Sequence, residues 1–163
     1  MIASTRLSLA RCAQLAAPVL LMPLLAGCPS PQTPYSFAAT TDSGPAVDAA
    51  ARTVAGEGWD IGKVDRQSGI VTTKWVAYPS AAESTTILVH RITVTLAPAG
   101  QGSNVVVRMD VKNCPPGGYT VGDVEVQGTC QPVDGVFPGD QKTIDSIGAK
   151  LQAALGSTKS AGQ

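Results

Sequence analysis

Four cysteines and a single histidine are the residues of this chain that could carry sulfur or imidazole chemistry. A thiolate can bind a metal, form a disulfide or attack an electrophile, and an imidazole can transfer protons near neutral pH. Cys114 and Cys130 lie in one glycine- and proline-rich region, Cys12 and Cys28 lie near the amino terminus, and His90 lies in a central apolar stretch. The spacing of these residues decides which chemistry each could support.

Cys114 and Cys130 bracket the segment PPGGYTVGDVEVQGT, whose midpoint is Gly122. If residues 121–124 form a turn, a small hairpin brings the two cysteines opposite each other. Disulfides persist in oxidising compartments, and closing a loop of this size contributes roughly 3 kcal/mol in the chain-entropy model. The alternatives are a zinc site, which would need four ligands and could add only His90, and a redox pair, which typically has Cys-x-x-Cys spacing. The spacing favours a structural Cys114–Cys130 disulfide.

The other polar residues form no pattern typical of an active site. His90 lies on the apolar face of a predicted strand, where a hydrogen-bonded core histidine is the ordinary interpretation and a general base is the alternative. No GxSxG motif occurs, and GEGWDIG follows a helix and lacks the Lys-Ser/Thr of a phosphate loop. The aspartates are too scattered for a calcium loop: Asp60, Asp65, Asp134 and Asp140. We therefore expect no catalytic residue, no metal and no cofactor, and a protein that is not an enzyme.

The first 27 residues have the composition of a secretory signal. Arg6 and Arg11 supply positive charge, no acidic residue occurs before Asp42, and the stretch 13–26 is apolar apart from one glutamine. A transmembrane helix needs about 20 apolar residues, so this stretch is too short to span a bilayer. We predict that residues 1–27 are a signal peptide.

The sequence LAGC at 25–28 resembles the lipobox of bacterial lipoproteins. In that family of signals the cysteine thiol receives a diacylglycerol, the chain is cut before the cysteine, and the new amino terminus is usually acylated. The residue types suit this chemistry, because the sulfur is the nucleophile and small Ala26 and Gly27 let an extended chain enter the peptidase. Cys12 follows an arginine and lacks the small residue. The resemblance implies cleavage between Gly27 and Cys28 and lipidation of Cys28, and an ordinary signal with a coincidental cysteine is the alternative.

The predicted mature chain, residues 28–163, is long enough for one small domain. The whole chain has 12 Lys+Arg and 12 Asp+Glu, and it loses two arginines with the signal. This balance excludes the basic footprint of a nucleic-acid-binding protein. Residues 29–44 carry three prolines among Ser, Thr and Gln without a hydrophobic period. They predict that 28–44 is a lipidated cysteine with a flexible tether, although Tyr35 and Phe37 are compatible with an arm packed on the domain.

Two stretches of the predicted domain, 45–157, have the apolar spacing of amphipathic helices. The first follows Pro45, ends near Gly56 and Gly58, and places Val47, Ala50, Ala51 and Val54 on one side. The second has Asp140 as a candidate cap and Gly156 as a stop, with apolar residues at Ile144, Ile147, Leu151 and Leu155. Residues 158–163 are predicted to be a disordered tail.

Four segments between the helices have strand patterns. Residues 59–64 and 70–78 flank a turn at 65–69 and predict a hairpin. The stretches 85–96 and 105–112 alternate apolar and polar residues, with Leu88, His90, Ile92, Val94 and Leu96 on one face of the first. The order of elements predicts an α+β fold: a single antiparallel sheet of four to five strands with an N-terminal and a C-terminal helix packed on one face.

The stretch 46–75, AVDAAARTVAGEGWDIGKVDRQSGIVTTKW, resembles the repeated module of the BamC-type lipoproteins. The resemblance lies in a helix, a GW entry into a strand, a D-x-x-x-G-I-V turn and a tryptophan-bearing strand. In that family an antiparallel sheet is held by helices on a lipidated chain, which belongs to a complex that inserts β-barrels into the outer membrane. BamC has two such modules and this chain has room for one. The resemblance implies a non-catalytic module and assigns no functional residue beyond Cys28.

These features predict a non-catalytic cell-envelope lipoprotein whose domain binds another envelope protein. Asp, the commonest inner-membrane retention signal, is absent after Cys28, which favours the outer membrane with the domain facing the periplasm. The alternative is a periplasmic small-molecule or lipid-binding module, which predicts an unfilled pocket between helix and sheet lined by Leu88, Ile92 and Trp75. An interaction module predicts a filled core with an exposed apolar patch or a free sheet edge, and an enzyme requires a polar cleft around His90.

Overall fold

The computed structural model describes residues 30–78, 87–114 and 130–156. The predicted signal peptide, its cleavage site at Gly27 and Cys28, and the tail 158–163 lie outside the described residues. So do the loop 79–84 and the segment between Cys114 and Cys130. The described ranges form one antiparallel sheet and two helices, which confirms the predicted α+β class.

The sheet has seven strands, more than the four to five predicted. In chain order the elements are β1 (Tyr35–Ala39), α1 (Ser43–Gly56), β2 (Ile61–Asp65), β3 (Ile70–Thr73), β4 (Val76–Ala77), β5 (Ile87–Pro98), β6 (Ser103–Cys114), β7 (Gln131–Pro132) and α2 (Pro138–Leu155). The strand order is β1-β6-β5-β3-β2, with β4 also beside β5 and β7 also beside β6. The added strands are β1, the two-residue β7, and β4, which is separated from β3 by a break at residues 74–75.

Strand β1 corrects the prediction that residues up to 44 are a flexible tether. It pairs with β6, and Tyr35 lies opposite Val107 while Phe37 lies opposite Val105. Both partners in β6 are fully buried, so the two aromatic residues of β1 extend the apolar face of the sheet. The prolines that suggested a tether come before β1, where the missing N–H of proline disturbs no strand pairing.

The hydrophobic core lies between the sheet and both helices. Each helix supplies the apolar stripe predicted for it, and all of the following are buried: Val47, Ala50, Val54, Ile144, Ile147, Leu151 and Leu155. The sheet contributes alternate residues of its two long strands, among them Ile92, Val94, Leu96, Val105 and Val107. Helix α1 packs on β2, β3 and β5, whereas α2 packs on β1 and β6. Burial of these side chains stabilises two helices that would be marginal in isolation.

Gly148 allows α2 to approach β1 closely. A Cβ atom placed on this residue would overlap the ring of Tyr35 and would lie 2.8 Å from its Cβ. The Tyr35 hydroxyl continues past the helix and donates a hydrogen bond to Gln152 Oε1 at 2.6 Å. The helix therefore needs a residue without a side chain at position 148. At its end, Gly156 has a φ of 69°, which agrees with the predicted stop.

Candidate functional site

His90 contacts a buried carboxylate. Its Nδ1 lies 3.3 Å from Oδ1 of Asp140, and the Tyr78 hydroxyl donates a hydrogen bond to Oδ2 of the same group. The backbone N–H of Phe137 also donates to Oδ2, at 3.1 Å. The side chains of His90 and Asp140 are 14% and 6% exposed. These contacts join β5, the residue after β4 and the first turn of α2. We call the contacting residues the Asp140 cluster: Trp59, Tyr78, His90, Phe137 and Asp140.

Aromatic rings enclose the imidazole of His90. The ring centre of Tyr78 lies 4.0 Å from that of His90, and the ring of Trp59 approaches His90 edge-on at 5.2 Å. Phe137 packs against Tyr78 with ring centres 5.3 Å apart. Aromatic pairs of this kind add to stability beyond the area they bury. The histidine is therefore held by ring contacts as well as by its carboxylate partner.

The electrostatics of the cluster favour an ionised Asp140 and a protonated Tyr78. Burial alone would raise the pKa of the Asp140 carboxyl, but the hydrogen bonds from His90, Tyr78 and the Phe137 amide outweigh burial and lower that pKa. Burial raises the pKa of the Tyr78 hydroxyl, and the hydrogen bond to Asp140 and the carboxylate charge raise it further. A carboxylate that orients an imidazole is also the arrangement of a general base.

Asp140 has a different position in the helix from the one predicted. The sequence predicts that Asp140 precedes the helix as its cap, but α2 begins at Pro138 and has Asp140 in its first turn. From there its carboxylate accepts the Phe137 N–H, which is the reach-back half of a capping box, while the Asp140 N–H donates to the Phe137 carbonyl at 2.9 Å. The phenyl ring of Phe137 has no acceptor, so only the carboxylate side chain caps this helix.

A second candidate site lies on the sheet face away from the helices. It is a groove of about 360 Å³, and we call it the Trp75 groove after one of its lining residues. Its walls include Gln32, Trp75, Arg91, Arg108, Asp110 and Lys112. The last four alternate along β5 and β6 with core residues, and this alternation directs them away from the helix layer.

Ion pairs and ring contacts order the Trp75 groove. Asp110 accepts from Arg91 Nε at 3.0 Å, lies 3.4 Å from Arg108 Nε, and also accepts from the Thr93 hydroxyl at 2.8 Å. The guanidinium carbon of Arg91 lies 4.5 Å from the Trp75 ring centre, and Nζ of Lys112 lies 5.1 Å from it. One carboxylate is thus shared by two arginines, and two cations lie over one indole ring.

The predicted disulfide is confirmed in position. The sulfur atoms of Cys114 and Cys130 are 2.17 Å apart, at bonding distance, and their Cα atoms are 4.3 Å apart. Cys114 is the buried last residue of β6, and Cys130 directly precedes β7, which pairs with β6. The disulfide therefore links the residue before β7 to the last residue of β6, the strand with which β7 pairs.

The three residues expected to line a ligand pocket between helix and sheet do not lie around one space. Ile92 is fully buried in the core and Leu88 is half-buried, whereas Trp75 lines a groove on the other face of the sheet. Sequence reasoning treated His90 and Asp140 separately and missed their contact. They are 50 residues apart in the chain, and no local pattern marks the pair.

Within residues 30–78, 87–114 and 130–156, no group of three or more His, Cys, Asp or Glu side chains could hold a metal ion. Neither described helix combines the length and the apolar character that crossing a bilayer would require.

No protein-family model and no curated protein matches the chain. A solved structure that resembles it is a DUF4468 family protein from Bacteroides ovatus, which is 12% identical. The alignment covers 80% of this chain and 88% of that chain, with a TM-score of 0.36.

Proposed function

We propose that this protein is a non-catalytic cell-envelope lipoprotein whose α+β domain binds another envelope protein. A lipid on Cys28 would anchor the protein in the outer membrane, with the domain facing the periplasm. The LAGC motif, which follows a signal-like segment, supports this anchor. The observation that carries the binding role is a sheet whose described part has a filled interior and two outer strands that each pair on one side only. The proposal includes a role similar to that of the BamC-type lipoproteins, in a complex that assembles outer-membrane proteins.

The filled interior favours an interaction module over a ligand carrier of the predicted kind. Ile92, Leu96 and Leu151 are at most 1% exposed, and they belong to one core cluster shared by sheet and helices. A ligand between the layers would have to displace these side chains, which costs the free energy of their burial.

The unpaired edges offer a place for a partner. Within the described ranges, β1 and β2 each pair with a neighbour on one side only. Strand β2 has an irregular register at Ile61 and Lys63 and an exposed Lys63, features that discourage uncontrolled edge pairing. Val76 of β4, 42% exposed, is the one large apolar side chain exposed in the described part, and β4 lies on the same side of β5 as β3. An extended segment added beside β2 would gain backbone hydrogen bonds, and Val76 is a separate exposed apolar side chain on the same side of β5.

The Asp140 cluster supports a structural interpretation of the histidine. Asp140 accepts from Tyr78 and from the start of α2 as well as facing His90, so its contacts hold two layers of the fold together. An orienting carboxylate of this kind has a complete structural role without any substrate.

Site-specific photo-crosslinking in native envelopes tests the proposal. A photoreactive residue replaces Lys63 in β2, and the matched control carries it at Lys142, an exposed residue of α2 on the helix layer. We expect one defined protein adduct from position 63, weaker or absent from 142, and lost when Cys28→Ser removes the anchor.

If the captured partner is a barrel-assembly component, the BamC-like role is supported. Equal labelling from both positions, or an adduct independent of Cys28, would contradict the proposed edge and anchor. The alternative function, a small-molecule- or lipid-binding module, is favoured by the Trp75 groove, which a small molecule co-purifying without a protein partner would support.

A further inference from the structure

The chain is fixed to the domain almost as soon as it leaves the predicted lipid anchor. Ser30 exchanges two backbone hydrogen bonds with Val136, at 3.0 Å and 2.8 Å, and Gln32 Nε2 donates to the Met109 carbonyl at 2.7 Å. Thr33 exchanges two further hydrogen bonds with the side chain of Gln141 in α2. The segment is therefore bound to the sheet and to α2 ahead of β1.

The distance from anchor to domain is short for this reason. Ser30 follows Cys28 by two positions, with Pro29 between them. An extended chain spans at most about 3.6 Å per residue, so two positions can span at most about 7 Å. A lipid on Cys28 would hold the Ser30 end of the domain against the membrane surface. This step rests on the proposed function, because it uses the anchor at Cys28.

The Trp75 groove lies at this same end. Gln32, two residues after Ser30, is one of its walls, and Gly135, adjacent to the bridge partner Val136, is another. The groove therefore lies beside the point where the lipid chains would enter the bilayer.

The charge of the groove matches an anionic membrane surface. Its lining contains three cations, Arg91, Arg108 and Lys112, and two carboxylates, Asp110 and Asp134. Asp110 is already shared between the two arginines, and both contacts are made through Nε. Arginine binds phosphate through paired N–H donors, and lysine adds a mobile positive charge.

Trp75 adds a group suited to the membrane interface. Arg91 and Lys112 both contact its indole ring, and all three side chains line the groove. Tryptophan is favoured at the headgroup level of bilayers, where an amphipathic ring meets both apolar and polar surroundings.

We propose that the Trp75 groove binds the phosphate groups of anionic phospholipids next to the lipidated Cys28, and so orients the sheet face of the domain toward the membrane. The lipid anchor supplies attachment, and the groove determines which side of the domain faces the bilayer.

The test uses the mature chain, residues 28–163, with Cys28→Ser, because membrane binding then depends on the groove and not on the lipid. Residues 30–156, which include every described element, are all present in it. The probes are vesicles of phosphatidylcholine alone and of an equimolar mixture with phosphatidylglycerol, with binding measured by co-sedimentation. A Trp59→Phe background makes the emission of Trp75 a local readout, and co-sedimentation without that change provides a second readout.

The test variant combines Arg108→Gln with Lys112→Gln, and the control combines Arg52→Gln with Lys142→Gln, two exposed cations of the helix layer. We expect binding to the anionic vesicles, a blue shift of Trp75 emission, and roughly 30-fold weaker binding in the test variant alone, since each cation near an anionic surface contributes about a factor of five. Far-ultraviolet circular dichroism and the urea midpoint show that both variants are folded.

Equal weakening by the test and control variants would overturn the proposal, because it would show attraction by overall charge. Equal binding to both vesicle types would overturn it as well. If inorganic phosphate binds the groove at concentrations that also abolish vesicle binding, the ligand of the groove is free phosphate. That result would overturn the proposal that the ligand is a phospholipid. The mass of the native protein reports the lipid on Cys28 separately, so failure of the anchor and failure of the groove give different results.

Discussion

Asp140 gives the sharpest prediction, because a single carboxylate accepts hydrogen bonds from three parts of the fold. Replacing it with alanine removes the partner of the Tyr78 hydroxyl, of His90 Nδ1 and of the Phe137 N–H at once. The change also removes the capping group of α2. We therefore expect Asp140→Ala to be among the most destabilising single changes on the helix surface that faces the sheet.

The magnitude follows from the groups left behind. A hydrogen bond to a charged group contributes about 1.5–3 kcal/mol, and a lost helix cap costs about 1 kcal/mol. The terms overlap, so we expect a loss of about 3–5 kcal/mol in the free energy of unfolding, as for other buried charged pairs that lose one partner. Asp140→Asn keeps an acceptor oxygen without the charge, and we expect it to cost about 2 kcal/mol.

The pH dependence provides a separate signature. The pKa of Asp140 is lower in the folded protein than its ordinary value of 3.8, so its contribution is present above that value and is lost as pH falls through the lower folded pKa. The difference in unfolding free energy between wild type and Asp140→Asn should therefore shrink as pH falls from above 3.8 through the lower folded pKa.

The assay is urea unfolding followed by tryptophan fluorescence and circular dichroism, with the disulfide intact. Asp145→Ala is the matched control: this residue lies on the same helix, is exposed, and accepts one hydrogen bond from Gln141. We expect it to change stability by no more than about 0.5 kcal/mol. A cost below about 1 kcal/mol for Asp140→Ala, or a wild-type-to-Asn difference that does not change with acid, would refute the role assigned to this carboxylate.

Further outcomes follow from other contacts of the described residues. Gly148→Ala should destabilise by about 1–3 kcal/mol, because its Cβ would overlap an aromatic ring, whereas Gly44→Ala, with open space around the added atom, should be neutral or slightly stabilising; urea unfolding compares them. Replacing both Cys114 and Cys130 with serine should lower the free energy of unfolding by roughly 3 kcal/mol in the same assay. An unchanged free energy would contradict the view that the disulfide constrains the unfolded chain. The pKa of Tyr78 is raised above its ordinary 10.0, so the stability it contributes should be present below that pH and be lost as pH rises beyond it. Denaturant unfolding of wild type and Tyr78→Phe across the alkaline range should show this additional loss in wild type only, and parallel curves would argue against a Tyr78 hydroxyl that is hydrogen-bonded to Asp140.

Several elements of the fold can be predicted from the local spacing of residues. Local spacing predicts the apolar stripe of α2, its stop at Gly156 and the alternation along β5 and β6, and the structure has all three. The disulfide was predicted because both cysteines flank one short segment of the chain. The residues that define each of these features lie close together in the chain. The periodicity of apolar residues, two in a strand and 3.6 in a helix, is therefore enough to predict the elements.

Other features depend on contacts between segments that are far apart in the chain. The proline-containing stretch before α1 gave no strand signal, and only the apolar face offered by β6 and α2 makes Tyr35–Ala39 a strand. The meeting of His90 with Asp140 and the turn of Trp75 to the face away from the helices likewise depend on how distant segments pack. Their positions depend on the free energy of contacts between residues far apart in the chain, and local sequence patterns do not predict those contacts.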